Sequence, residues 1–202
     1  MKTLTNKIVL LVAIALFPFF SCEDKKKDSL VFIGDSLISS WNVASFFPSY
    51  IVKNKGVSGA RLEDIRNWDI DAQNKTAIFL IGTNDLGSIH SVPDDYYDQF
   101  AESYLDIITS INASMNIVIS ILPRTAPTHR PTINQEIITL NKKLGECFSS
   151  SDNIIFLDVY TNFLDGEEIS HQYVYDGLHL NRQGYNLLCK LIMPVITKHP
   201  LP

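Results

Sequence analysis

From residue 29 onward the chain alternates short apolar runs with longer amphipathic stretches. The runs cover residues 30–33, 50–52, 77–81, 117–122 and 154–157. They are rich in β-branched and aromatic residues and mostly lack polar alternation, as strands buried on both faces do. Between them, residues 96–111 place Phe100, Tyr104, Ile107, Ile108 and Ile111 at helical spacings of three and four. Residues 134–148 repeat the pattern with Ile137, Ile138, Leu140 and Leu144, and residues 181–196 with Tyr185, Leu187, Leu188, Leu191 and Ile192. Residues 61–68 form a shorter, weaker helical candidate. Five strands alternating with helices predict a three-layer α/β/α sandwich around a parallel sheet with right-handed crossovers. In such sheets functional groups gather just beyond the carboxyl ends of the strands.

The first residues break this pattern. Lys2 and Lys7 precede an apolar run over residues 8–20. As a helix that run reaches about 20 Å, short of the roughly 30 Å hydrocarbon core, so it suits an export signal better than a membrane span. Phe19-Phe20-Ser21-Cys22 then resembles a bacterial lipobox, with Cys22 as the first mature residue and the lipid carrier. The charged stretch after it cannot bury itself and reads as a tether. The expected organisation is therefore a lipoprotein signal peptide at 1–21, a lipidated cysteine and tether at 22–28, and one domain at 29–202. The expected location is the bacterial cell envelope, on the periplasmic or outer-membrane face. Cys147 and Cys189 lie in apolar helical patterns and are expected as buried thiols. With 46% hydrophobic and 19% charged residues the composition is globular, and a net charge of -5 argues against a nucleic-acid partner.

Four short motifs fall on the loops where chemistry is expected. After the first strand comes Gly34-Asp35-Ser36-Leu37, a turn that fits either a helix cap or a nucleophile. After the second comes Asn54-Lys55-Gly56-Val57-Ser58-Gly59, whose glycines expose backbone N–H groups or simply turn the chain. After the third comes Gly82-Thr83-Asn84-Asp85, where a side-chain amide fits an oxyanion donor or an Asx turn. Before the last helix comes Asp176-Gly177-Leu178-His179-Leu180-Asn181, where a spacing of three fits either a carboxylate that orients the imidazole or a satisfied surface histidine. Each motif alone is weak. Jointly they supply a nucleophile, a base, an orienting acid and oxyanion donors, an improbable coincidence.

The same four blocks resemble the SGNH (GDSL) hydrolase superfamily. The spacing around Trp41, the NKGVSG loop and GTND is most similar to its platelet-activating-factor acetylhydrolase-like branch. The resemblance covers essentially the whole mature domain. It implies a flavodoxin-like five-stranded sheet of order 2-1-3-4-5, with no cofactor and no metal. It implies Ser36 as nucleophile, His179 as base and Asp176 as its orienter, with the amides of Ser36 and Gly56 and the side chain of Asn84 as oxyanion donors. Asp35 and Asp85 are expected to order their loops rather than to act.

The expected activity is removal of a small acyl group, such as acetyl, from a carbohydrate or similar alcohol, because short loops without an obvious lid suggest an open site. A lysophospholipase- or thioesterase-type acyl hydrolase is the nearest alternative. A non-catalytic carbohydrate-binding envelope lipoprotein is the more distant one. Trp41 and Arg124 are candidate substrate contacts, together with Phe46, Phe47 and Trp68; core packing is the ordinary role of such aromatics, and Arg124 would otherwise pair with a surface acid. The expected partners are a small-molecule or glycan ester and, through Cys22, a membrane.

Overall fold

A computed structural model describes residues 28–87, 93, 95–127 and 130–199. The proposed signal peptide, Cys22 and nearly all of the tether lie outside the described residues. Five parallel strands form one sheet: β1 (Ser29–Gly34), β2 (Ile51–Gly56), β3 (Thr76–Leu80), β4 (Met115–Ile119) and β5 (Ile154–Leu157). Their order is β2-β1-β3-β4-β5, as the family resemblance implied. Successive side chains on a strand point to opposite faces, so an unbroken apolar strand fills two cores at once. Leu30, Phe32, Ile78 and Leu80 face one, and Val31, Ile33, Ala77 and Phe79 face the other.

Helices cover both faces. α1 (Ser36–Ser39), α2 (Val43–Phe46) and α6 (Arg182–Lys198) close one core through Ile38, Val43, Leu188 and Ile192. α4 (Tyr96–Ile111) and α5 (Ile133–Phe148) close the other through Tyr104, Ile108, Ile137 and Leu144. The short α3 (Thr83–Gly87) follows β3 directly. Cys147 and Cys189 are free, half-buried thiols packed against opposite cores, so no disulfide joins them.

Four details depart from the sequence reading. β2 is an edge strand with Ile51 half exposed, and its pairing with β1 runs on through Asn54 and Lys55 to Gly56. Polar residues are tolerated there because one side of an edge strand faces water. β4 stops at Ile119, since Asn141 of α5 takes over both backbone groups of Ile121, accepting its N–H and donating to its C=O at 2.8 Å each. The weak helix is a 3₁₀ segment, Leu62–Asn67, and a hairpin of two-residue strands, Leu164–Asp165 and Glu168–Ile169, was not anticipated.

Candidate active site

The carboxyl ends of β1 and β3 meet the loop before α6. A side chain at Gly34 would put its Cβ 2.0 Å from the Leu80 carbonyl oxygen, so only glycine lets these two strand ends close up. The cap of α1 falls to Asp35, whose carboxylate accepts the Leu37 N–H at 2.9 Å. Ser36 is therefore the first helical residue, with its hydroxyl free for another partner. That partner is His179: its Nε2 lies 3.0 Å from Ser36 Oγ. His179 Nδ1 in turn lies 2.7 Å from Asp176 Oδ2.

Local hydrogen bonds hold this line. The other oxygen of Asp176 accepts the N–H groups of Leu178 and His179 at 3.0 and 2.8 Å. Those bonds, the His179 amide first and then its ring, hold the Asp176 carboxyl down at about 2. Asn181 caps α6 by accepting from Gln183 and Gly184, which fixes where the histidine loop ends. Tyr185 of α6 donates its hydroxyl to the Leu37 carbonyl at 2.8 Å, tying that helix to the serine turn. The Thr125 N–H donates to the Gly177 carbonyl at 2.8 Å, tying on the loop that carries Arg124. The site is open, with the His179 side chain 39% exposed.

The expected oxyanion donors divide. The Ser36 amide donates to no acceptor among the described residues. Asn84 donates one amide N–H to the Ala60 carbonyl at 2.9 Å, which orients its second. Gly56 is a correction: its N–H donates to Asn54 Oδ1 at 2.8 Å and is consumed. Gly56 closes a tight contact instead, since a Cβ there would lie 2.2 Å from the Ser39 nitrogen. Gly59, three residues on, has the properties expected of Gly56. It turns the chain at φ +78°, its N–H meets no acceptor among the described residues, and it lines a cavity with Asn84.

Trp41 is a second correction. At 2% exposure it stacks on Tyr185 at 5.2 Å and packs edge-on to Phe32 and Phe47, so it belongs to the core and not to a binding surface. Phe47 is buried with it. Arg124 does line the cavity, of about 390 Å³, beside Gly59, Asn84 and Leu178. Arg61 and Arg130 line it too, and the sequence reading had singled out neither. Asp35 and Asp85 order their loops as expected, Asp85 by accepting the Leu62 N–H. Burial pushes their carboxyls up, to about 7 and about 6 respectively. Among the described residues no cluster of three or more His, Cys, Asp or Glu side chains is placed to hold a metal ion. A hydroxyl bonded to an imidazole, itself bonded to a carboxylate, can pass a proton from oxygen to ring while the oxygen attacks an electrophile.

Comparison with known proteins follows the same outline. The human platelet-activating factor acetylhydrolase IB subunit alpha1 is 24% identical over 195 residues, spanning 89% of this chain and 80% of its own. A GDSL-like lipase from Bacteroides thetaiotaomicron superposes with a TM-score of 0.66 at 23% identity, over 86% of this chain and 89% of that one. A catalytic mutant of an acetylxylan esterase from Geobacillus stearothermophilus superposes with a TM-score of 0.65 at 17% identity, over 84% and 94%. The model of the GDSL-like lipase/acylhydrolase family matches residues 32–187, from within β1 to within α6. That span takes in every segment converging on Ser36, and with it the chain belongs to the GDSL-like lipase/acylhydrolase family and is a carboxylic ester hydrolase.

Proposed function

We propose that this hydrolase removes a small acyl group, acetyl foremost, from a carbohydrate or similar alcohol, with Ser36 as nucleophile, His179 as general base and Asp176 as the group that orients it. The observation that carries this reading is the unbroken line from Ser36 Oγ to His179 Nε2 at 3.0 Å and from His179 Nδ1 to Asp176 Oδ2 at 2.7 Å.

Neutral His179 accepts the Ser36 proton at Nε2 as Oγ attacks the ester carbonyl. The Ser36 and Gly59 amides and the free N–H of Asn84 receive the oxyanion, each donor contributing about 3 kcal/mol to the barrier reduction. His179 then protonates the departing alcohol. Water attacks the acyl-enzyme with His179 again as base, returning Ser36 to its hydroxyl form.

An open site with short flanking loops supports a small acyl group on a larger alcohol. The names of the similar proteins, an acetylhydrolase subunit and an acetylxylan esterase, point the same way. The sequence around Cys22 supports export and lipid anchoring on a bacterial envelope. The test pairs a fluorophosphonate probe with acetate release from acetylated glycans and 4-nitrophenyl esters of increasing chain length. Labelling at Ser36, acetate release and a rate falling with chain length are expected, with Ser36→Ala abolishing labelling and turnover while melting like the parent. A folded protein that neither labels nor turns over any ester would overturn the reading, and a preference for long chains would overturn the acyl assignment.

A further inference from the structure

The cavity beside the site carries an unusual charge pattern. Among its lining residues are Arg61, Arg124 and Arg130, and none is acidic. Arg130 is neutralised: its guanidinium pairs with Glu136 through Nε and Nη2 and donates from Nη1 to the Leu86 carbonyl. Arg61 and Arg124 differ. No carboxylate lies within salt-bridge distance of either guanidinium among the described residues. Arg124 is half buried, and its Nε is shielded from water with no hydrogen-bond partner among the described residues.

The protein also fixes where Arg124 stands. Asn134, itself buried, accepts the Arg124 N–H at 3.1 Å and donates to its carbonyl at 2.7 Å, clamping the backbone from both sides. At Gly87 a Cβ would lie 3.3 Å from Arg124 Nη1, so the missing side chain leaves the guanidinium its room. Burial and the neighbouring Arg130 both disfavour this cation, pulling its pKa down, while Asp176 lies near enough only for a weaker opposing attraction. A buried, unpaired donor next to a second cation is costly unless something outside the chain completes it. A guanidinium fork matches a carboxylate or phosphate with two parallel hydrogen bonds.

We infer that this cavity is a subsite for an anionic group carried by the substrate, held by Arg124 with Arg61 at its rim, so that the preferred alcohol is an acylated sugar bearing a carboxylate or phosphate. The inference rests on the esterase reading for its turnover but not for its binding. Gly59 and Asn84 line the same cavity, which sets the anion and the acyl carbonyl on one substrate. The volume of about 390 Å³ lies within the ordinary range for small-molecule sites, roughly 300–1,000 Å³.

Three substrates acetylated at the same hydroxyl make the test: glucuronic acid, glucose 6-phosphate and neutral glucose. Acetate release by the full chain is expected to favour at least one anionic sugar over glucose by about ten-fold or more in kcat/KM, the size of a charge-assisted pair. Whichever anion is favoured distinguishes a carboxylate from a phosphate source. Arg124→Gln should bring that ratio to within about two-fold of unity and Arg61→Gln should lower it several-fold; Arg61 is exposed, so its variant keeps the test valid if the first folds poorly. Calorimetric titration with the unacetylated sugars reads the subsite without turnover. An anion-dependent heat lost in Arg124→Gln sustains the subsite even if no ester is hydrolysed. A parent protein that binds and turns over all three sugars alike, or an Arg124→Gln protein that keeps the preference, overturns it.

Discussion

Replacing Asp35 with asparagine isolates what it takes to bury a carboxyl beneath the serine turn. The Asp35 side chain is fully buried; one oxygen accepts the Leu37 N–H and the other meets no partner among the described residues. Burial, the largest influence, pushes the carboxyl from 3.8 up to about 7. Because the folded value lies above the unfolded one, the native state holds this proton more tightly. The resulting stabilisation is complete below about pH 4 and is lost as pH rises through about 7. Roughly three pKa units at about 1.4 kcal/mol each give about 4 kcal/mol, and relaxation around the charge brings the expected effect to about 2–4 kcal/mol. Asparagine keeps an oxygen for the Leu37 cap and cannot ionise. Denaturant unfolding of parent and Asp35→Asn should agree within about 1 kcal/mol at pH 4.5. At pH 8 the variant should be more stable by about 2–4 kcal/mol, or roughly 5–15 °C in Tm. Taking the difference cancels the lowered carboxyls Glu63, Asp71 and Asp176, whereas the raised Asp85 feels the Asp35 charge and eases with its removal, in the same direction. A difference that stays constant across the range, or that shrinks as pH rises, refutes the reasoning.

Asn84→Ala removes the side-chain donor and should lower kcat by roughly 10²-fold or more with a much smaller change in KM, read by steady-state kinetics on a 4-nitrophenyl ester. Asp176→Asn keeps an oxygen for the Leu178 and His179 amides but presents an NH₂ to His179 Nδ1. That selects the tautomer with its proton on Nε2, so kcat should fall by roughly 10⁴-fold while circular dichroism and Tm hold. Cys22→Ser should release the protein from the membrane fraction and abolish incorporation of labelled fatty acid; a variant that still fractionates with membranes would exclude anchoring at that residue.

The parts of the fold readable in sequence were those whose periodicity is set by burial. Residues 96–111 were delimited as the helix that α4 is, because Phe100, Tyr104, Ile107 and Ile108 must all reach one core. β1, β3 and β5 were placed to within a residue or so, since strands filling two cores leave no polar gaps. β2 was cut short because its last residues are polar, and only its pairing with β1 shows that they are strand. The serine, histidine and aspartate were legible because each stands in a short block at a strand end or before a helix. The choice between Gly56 and Gly59 was not legible. It turns on which N–H is already consumed, and the Asn54 side chain that consumes one is a tertiary neighbour of α1, donating to the carbonyls of Ile38 and Trp41. Trp41 was misjudged for a similar reason: an aromatic after a short helix reads the same whether it faces solvent or stacks on Tyr185 from the far end of the chain. The Arg61–Arg124 pair was hidden because an arginine's freedom depends on where every acid folds, and of the three cavity arginines Arg130 alone pairs with one among the described residues.

Two aspartates at this site sit in opposed environments, and the opposition explains how an open pocket keeps a defined geometry. Asp176 is exposed, and its charge is held by N–H donors from its own turn, so it remains ionised far below the pH at which an imidazole titrates. Water screens so exposed a pair, and its Coulomb attraction contributes little. What Asp176 supplies is direction, because the same carboxylate that closes the turn also fixes the ring facing Ser36. Asp35 supplies rigidity instead. Enclosed between the strands and α1, it caps the helix that begins with Ser36, at an energetic cost that grows as pH rises. An exposed residue sets the angle and a buried one sets the position, so neither role needs a lid. Relieving the buried charge while keeping the Leu37 cap should therefore stabilise the domain most at high pH, as expected where one residue breaks the rule that buried charges are paired.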